Sequence, residues 1–302
     1  MWFIFALITA LFWGGSDLFS KMGTDPRDKY SHLRMVIMVG AVMGIHGLVM
    51  FCLNYQEFDP MSIVKYLPVS ACYIGSMAIG YIGLRYLELS VSSPVCNSSG
   101  AVAAILCFVF LGQTMNGLQL VSVVLVVLGV ILLSVFDMKD ENKARRFRGE
   151  VIEEKYAVSA LAVSIPIIYC IVDALGTFGD SLVLDAWALM SEEEGEIAYE
   201  FTFFLCAVAA FIFLVFVKKQ KFSLWEEREK GLGAICETAG QFFYIYAIAE
   251  NGIMAAPLIS SYCLFSVVLS RIFLKEKLTL RQYGAIAIAG AGIILMGALE
   301  GA

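Results

Sequence analysis

The sequence predicts an all-α integral membrane protein whose ten transmembrane helices form two inverted five-helix repeats. Three observations carry that prediction. Of 302 residues, 60% are hydrophobic and 16% charged, with a mean hydropathy of +0.80, whereas a soluble domain runs nearer half apolar and a quarter charged. The apolar residues gather into ten runs, each close to the roughly 20 residues needed to cross a hydrocarbon core of about 30 Å at about 1.5 Å per residue. The two halves of the chain also match each other in register.

The first run, 2 to 20, begins directly on Trp2, with no basic leader and no small-residue cleavage site before Gly14. It reads as a retained helix and not as a signal peptide. Runs at 33 to 53, 67 to 87, 91 to 111 and 118 to 136 complete a first half, residues 1–136. A charged stretch, 137–155, follows as a solvated linker that brushes lipid headgroups. Runs at 156 to 177, 198 to 217, 231 to 249, 253 to 274 and 281 to 299 make the second half, 156–299. The gaps 88 to 90 and 250 to 252 are very short, but one helix of about forty residues or more does not fit a bilayer, so a break is required at each.

Orientation follows from the basic residues. Of the 21 Lys and Arg, only Lys65 falls outside the odd-to-even gaps and their helix ends. Basic residues near helix ends stay cytoplasmic, so the odd-to-even loops are expected inside and both termini outside, in what reads as a bacterial cytoplasmic membrane. The segment 178–197 fits an outer loop: it holds Asp180, Asp185, Glu192, Glu193, Glu194 and Glu196 and no base.

Several functions are excluded at this level. The longest polar stretches, Asp137 to Lys155 and Phe178 to Ile197, are too short for a nucleotide-driven or catalytic domain. A net charge of -6 and scattered bases argue against nucleic-acid binding. All eight cysteines lie in apolar runs, where a thiol is a small packing group, and no disulfide framework is implied.

The repeat is the strongest organisational signal. At an offset of 163, Tyr81 meets Tyr244, Pro94 meets Pro257, Ser98 meets Ser261, Gln119 meets Gln282 and Gly129 meets Gly292. Near the start of each half the offset is 156, pairing Trp13 with Tyr169 and Asp17 with Asp173. Because five is odd, the second copy enters the membrane with opposite polarity. Inverted repeats with a site at their interface characterise many secondary transporters.

With Leu11-Phe12-Trp13-Gly14 in the first helix, Gly83-Leu84-Arg85-Tyr86 leading to Pro94, and Pro257 leading to Phe273-Leu274-Lys275-Glu276-Lys277-Leu278, the chain resembles the ten-helix EamA-type branch of the drug/metabolite transporter superfamily. The resemblance implies export or import of small metabolites through a central cavity framed by helices 1, 3, 4, 6, 8 and 9, with helices 5 and 10 peripheral. The first copy departs from the pattern, with Gly112-Gln113 where the family favours an acid after helix 4.

Ionisable residues inside a span are expensive and commonly functional, which ranks Glu237, near the middle of helix 8, first. It reads as a cation or proton site, or else as a carboxyl satisfied by a neighbouring helix. Asp17 and Asp173 read as gate or coupling residues at opposite cavity mouths, or as helix ends in the interface. Trp13, Tyr81, Tyr169 and Tyr244 make an aromatic cage for an ammonium group, or serve as anchors and core fillers. Tyr73, Tyr86, Tyr246 and Tyr262 read as anchors or packing. Asn97 and Ser261, beside Pro94 and Pro257, either line the cavity or repair a kink. His46, with only His32 for company, reads as a packing side chain, so no metal and no cofactor are expected. The small residues from Gly284 to Gly297 read as a close-packing face of helix 10.

The expected activity is therefore secondary transport, not enzymatic catalysis, of a small polar metabolite, favouring a cationic or zwitterionic amine such as an amino acid or quaternary ammonium compound. Lipid surrounds the chain, a proton is the coupling ion, and the protein works as a monomer or weak dimer. A nucleotide-sugar or organic-anion carrier is the alternative, and a membrane-embedded scaffold or enzyme is the alternative from another class.

Overall fold

The structure is a computed structural model describing residues 1–23, 28, 30–53, 58–86, 97–147, 160–275 and 278–300. Among them the chain forms ten α-helices: α1 (Trp2–Gly23), α2 (Ser31–Leu53), α3 (Met61–Tyr86), α4 (Ser99–Leu111), α5 (Gly117–Phe147), α6 (Ala160–Asp180), α7 (Glu192–Ile212), α8 (Arg228–Ile259), α9 (Tyr262–Phe273) and α10 (Leu280–Leu299). Wider π-helical turns extend α6 through Ser181–Ala186 and α7 through Phe213–Val217. Among the described residues, seven helices are long and apolar enough to cross a membrane: α1, α2, α5, α6 with its π turn, α7, α8 and α10. Large apolar side chains such as Ile45, Phe110, Phe216 and Ile294 stand exposed on the outer surface. In water that would be an aggregation hazard; in lipid it is the expected outer surface. The protein is a multi-pass membrane protein.

Three elements differ from the sequence expectation. The stretch 178–197, expected as an outer loop, is mostly helical. α6 runs on to Ala186, and α7 starts at Glu192 because Ser191 and Glu194 form a reciprocal capping box. Glu196 and Glu200 are consequently fully buried. The charged stretch after residue 136 begins as a continuation of α5, helical to Phe147, and its remainder lies outside the described residues. The break required at 250 to 252 falls at Asn251, whose backbone is extended within α8. Its Oδ1 accepts from the Met254 N–H at 3.3 Å and so caps the helical piece that follows. The companion break at 88 to 90 lies outside the described residues.

The expected ninth helix is interrupted too. The piece after Asn251 stops at Ile259, Ser260 and Ser261 turn, and α9 resumes at Tyr262. Ser261 is fully buried and its hydroxyl donates to the Leu258 carbonyl at 2.6 Å, satisfying backbone that the turn would otherwise orphan.

Helices of the first half pack mainly on helices of the second: α1 on α8 and α9, α2 on α7 and α8, α3 on α6 and α7, α4 on α6 and α8, and α5 on α10. The close packing expected of the small residues of α10 holds against α5 at Gly292, while Gly284 and Gly290 face open space. Gly129 lies against Ala285 and Ala289, and Gly292 against Ser122 and Val126, so neither position has room for a Cβ.

The loops sort to two ends. At one, Arg34 bridges Asp28 at 2.8 Å, the Lys221 carbonyl at 2.8 Å and Glu227 at 3.1 Å, while Lys230 pairs with Glu227 at 2.5 Å. This joins the α1–α2 and α7–α8 connections. At the other, Glu194 accepts from the Asp59 N–H at 3.0 Å, joining the start of α7 to the α2–α3 connection. Gln113 ties the α4–α5 connection to Asp185 and to the Ile253 N–H at 3.0 and 3.1 Å. The Met1 amino group reaches Glu250 at 2.6 Å and Glu300 at 3.2 Å, which brings the two ends of the chain together.

Candidate functional site

Two polar clusters meet between the halves. The first is built on Glu237, half-buried about a third of the way along α8. The buried Ser16 hydroxyl of α1 lies within hydrogen-bond reach of its carboxylate, and the charges of Asp17 and Asp173 both extend to it. Trp13 leans on this helix from α1, its indole Nε1–H donating to the Glu237 carbonyl at 3.4 Å. Gly240, one turn on, makes that approach available, because a Cβ there would overlap the indole. The Trp13 ring stacks on Tyr244 with centroids 5.2 Å apart and meets the edge of Tyr262 at 6.1 Å. Tyr262 also lies within reach of the charges of Asp17, Asp173 and Glu237. No Lys or Arg pairs with Glu237 among the described residues. The result is a cluster of three acids and three aromatic rings, the chemistry that attracts a cation.

The second cluster surrounds Asp180, fully buried at the end of α6. Tyr66 and Tyr73 of α3 each donate a phenol hydroxyl to its carboxylate, the Tyr73 bond measuring 2.6 Å. Tyr73, its one proton given to Asp180, accepts from the Tyr244 hydroxyl, which also lies 3.3 Å from the Thr177 hydroxyl. Tyr244 therefore belongs to both clusters, with its ring face on Trp13 and its hydroxyl in the Asp180 network. Tyr199 of α7 closes the space, its ring 5.9 Å from Tyr73.

The other expected site residues are placed as follows. Asp17 is exposed and accepts from the Ser266 hydroxyl of α9 at 2.6 Å. Asp173 is half-buried and accepts from the Ser76 hydroxyl of α3 at 3.0 Å. Each acid thus ties its own half to the other. Tyr169 is half-buried on α6, and Tyr81 is on α3 with its side chain outside the described residues. Asn97 donates to the Ser134 hydroxyl of α5 at 3.0 Å, and Ser261 serves the backbone turn described above.

Tyr66 and Thr177 carry no expectation from the sequence, and Asp180, Tyr73 and Tyr262, expected as a loop acid and as anchors or packing, join the two clusters instead. Asp180 reads as a loop acid when the sixth apolar run ends at 177, whereas α6 continues through it. A continuing apolar pattern through Leu182, Val183 and Leu184 was the signal available. Tyr73 and Tyr262 carried no distinguishing signal, since an anchoring tyrosine and a pocket tyrosine look alike in sequence.

A family model, that of the EamA-like transporter family, matches residues 1–135 and 196–298, most of the chain. The chain belongs to the EamA-like transporter family. It is accordingly a membrane transporter of the drug/metabolite transporter superfamily, as the resemblance implied. Among relatives, an uncharacterized protein of Methanocaldococcus jannaschii is 26% identical over 136 residues, covering 44% of this chain and 95% of that protein. A solved crystal structure of a protein aligns with 98% of this chain and 96% of its own, at a TM-score of 0.67 and 12% identity, which extends the likeness of fold to the whole chain.

Proposed function

We propose that this EamA-like chain is a secondary active transporter that moves a small cationic or zwitterionic amine across the cytoplasmic membrane by alternating access. The observation that carries the reading is Glu237, half-buried between the halves, without a basic partner among the described residues, and faced by Trp13 and the charges of Asp17 and Asp173. An ammonium group supplies the missing positive charge, and the Trp13, Tyr244 and Tyr262 rings add roughly 0.5 to 2 kcal/mol each where water is excluded. A carboxylate that holds either the amine or a proton, and not both, couples the two fluxes in opposite directions. An organic anion or nucleotide sugar would meet acids here.

Alternating access needs two related conformations, and the packing supports a chain of inverted repeats. Exchanging the halves turns the α1–α8 contact into α6–α3, α2–α8 into α7–α3 and α1–α9 into α6–α4, while α2–α7 and α5–α10 exchange with themselves. The match at Gly129 and Gly292 obeys the same offset of 163, since Ala289 and Ala285 correspond to Val126 and Ser122. A relative in which 136 matched residues are 95% of the protein has the length of one half, which also favours a five-helix unit. Grouping of the odd-to-even connections at the Arg34 end and of the termini at the Glu250 end favours cytoplasmic basic loops with both termini outside.

Uptake of radiolabelled amines into proteoliposomes with an imposed pH gradient tests the proposal. Glu237→Gln keeps the shape and removes the charge, and at least a tenfold loss of amine uptake together with its pH dependence is expected. Undiminished uptake with the same pH dependence would refute the assignment.

A further inference from the structure

Away from the central clusters, α2 and α7 bring together His46, Glu196 and Glu200, whose ligand atoms all lie within 4.8 Å of one another. His46 Nδ1 stands 2.9 Å from both Glu200 oxygens and 3.9 Å from Glu196 Oε1. Both carboxylates are fully buried, while the imidazole is 30% exposed. Glu196 is the unexplained member, because neither of its oxygens has a hydrogen-bond partner. It is aimed at the same space as Glu200, one helical turn away on the same face of α7.

A single imidazole cannot neutralise two buried carboxylates, and a charge held away from water is disfavoured unless it is compensated. The surroundings add more negative charge: Glu193, held by the Tyr246 hydroxyl at 3.0 Å, acts on Glu196 as well. Phe242 meets the imidazole edge-on at 6.0 Å. The close approach is built into the backbone at Gly47, where a Cβ would lie 3.1 Å from both Glu200 Cβ and Oε2.

We propose that His46, Glu196 and Glu200 form a binding site for one divalent transition-metal ion between α2 and α7. One imidazole nitrogen and two carboxylate oxygens suit Zn²⁺ or Mn²⁺. Ligands about 2.1 Å from a tetrahedral ion stand about 3.4 Å from each other, and the observed 2.9 and 3.9 Å bracket that spacing. The ion supplies the positive charge that Glu196 lacks and clamps a first-half helix to a second-half helix. This site is separate from Glu237, so its fate is independent of the transport proposal.

The test uses the full chain, chelator-stripped and reconstituted in lipid nanodiscs, titrated with Mn²⁺ and followed by electron paramagnetic resonance. Mn²⁺ is the probe because it prefers carboxylate oxygens over the thiols of the eight cysteines and is paramagnetic. One saturable Mn²⁺ per chain is expected, weakened at least tenfold by Glu196→Gln and by Glu200→Gln and unchanged by Glu237→Gln. On the unmodified protein, pulsed measurements should detect nitrogen coupling to the bound Mn²⁺. It should persist in His32→Ala and vanish in His46→Ala, the chain having only these two histidines. Absence of saturable binding, binding unaffected by both glutamine variants, or bound Mn²⁺ without nitrogen coupling would each overturn the proposal.

Discussion

Replacing Gly240 by alanine adds one methyl group at the contact that holds Trp13 over α8. That methyl would overlap indole Cδ1 and Nε1, far inside ordinary contact. The indole is not a flexible tip that can swing away, because it is stacked on Tyr244 on one side and edge-on to Tyr262 on another. Nor can α1 retreat, since Gly14, on the next residue, is already pressed against the Phe265 and Ser266 backbone of α9. Overpacking of this kind costs about 1 to 3 kcal/mol, while exchanging Gly for Ala inside a helix returns about 0.8 to 1 kcal/mol. Gly284→Ala provides the comparison, because nothing lies within 4 Å of a Cβ there and only the helix gain remains. The difference between the two variants should therefore be about 1 to 3 kcal/mol, with Gly240→Ala the less stable. Equilibrium unfolding of both purified proteins in one detergent measures it. Equal stabilities would mean that the indole does not occupy the groove over Gly240, and the stacking of Trp13 on Tyr244 would go with it.

Two further outcomes follow from the same contacts. Tyr73→Phe removes a hydroxyl shared by Asp180 and Tyr244 and leaves a buried carboxylate one donor short, so unfolding measurements should record a loss of about 1 to 3 kcal/mol. Asn251→Ala deletes the cap on the helical piece after the α8 break. Its cost should be about 1 kcal/mol, seen as faster proteolysis near residue 251 and a lower unfolding free energy, whereas Asn251→Asp should stay near the parent.

The broad architecture was legible because it depends on quantities summed over many residues. Lipid requires each span to be long, apolar and internally hydrogen-bonded, and these demands write themselves into composition and run length. The break near 251 was legible for the same reason, as a continuous helix would have been too long. The inventory of acids was legible as well, but not their surroundings. Glu196 looked like one of six loop acids because helix ends are set by local capping, here Ser191 with Glu194, and a boundary shift of six residues moves a carboxylate from water into the protein.

What the amino-acid sequence determined by itself is the solvent of this protein, its apolar helical segments and the rarity of a carboxylate at the position of Glu237. Only the tertiary structure decided which groups meet: Trp13 over Gly240, Tyr73 between Asp180 and Tyr244, and His46 with two glutamates more than 140 residues away. The physical reason is that a side chain's chemistry is local, while its charge partner is supplied by whichever helix packs against it, and that choice is made by shape at glycines such as Gly47, Gly129 and Gly240.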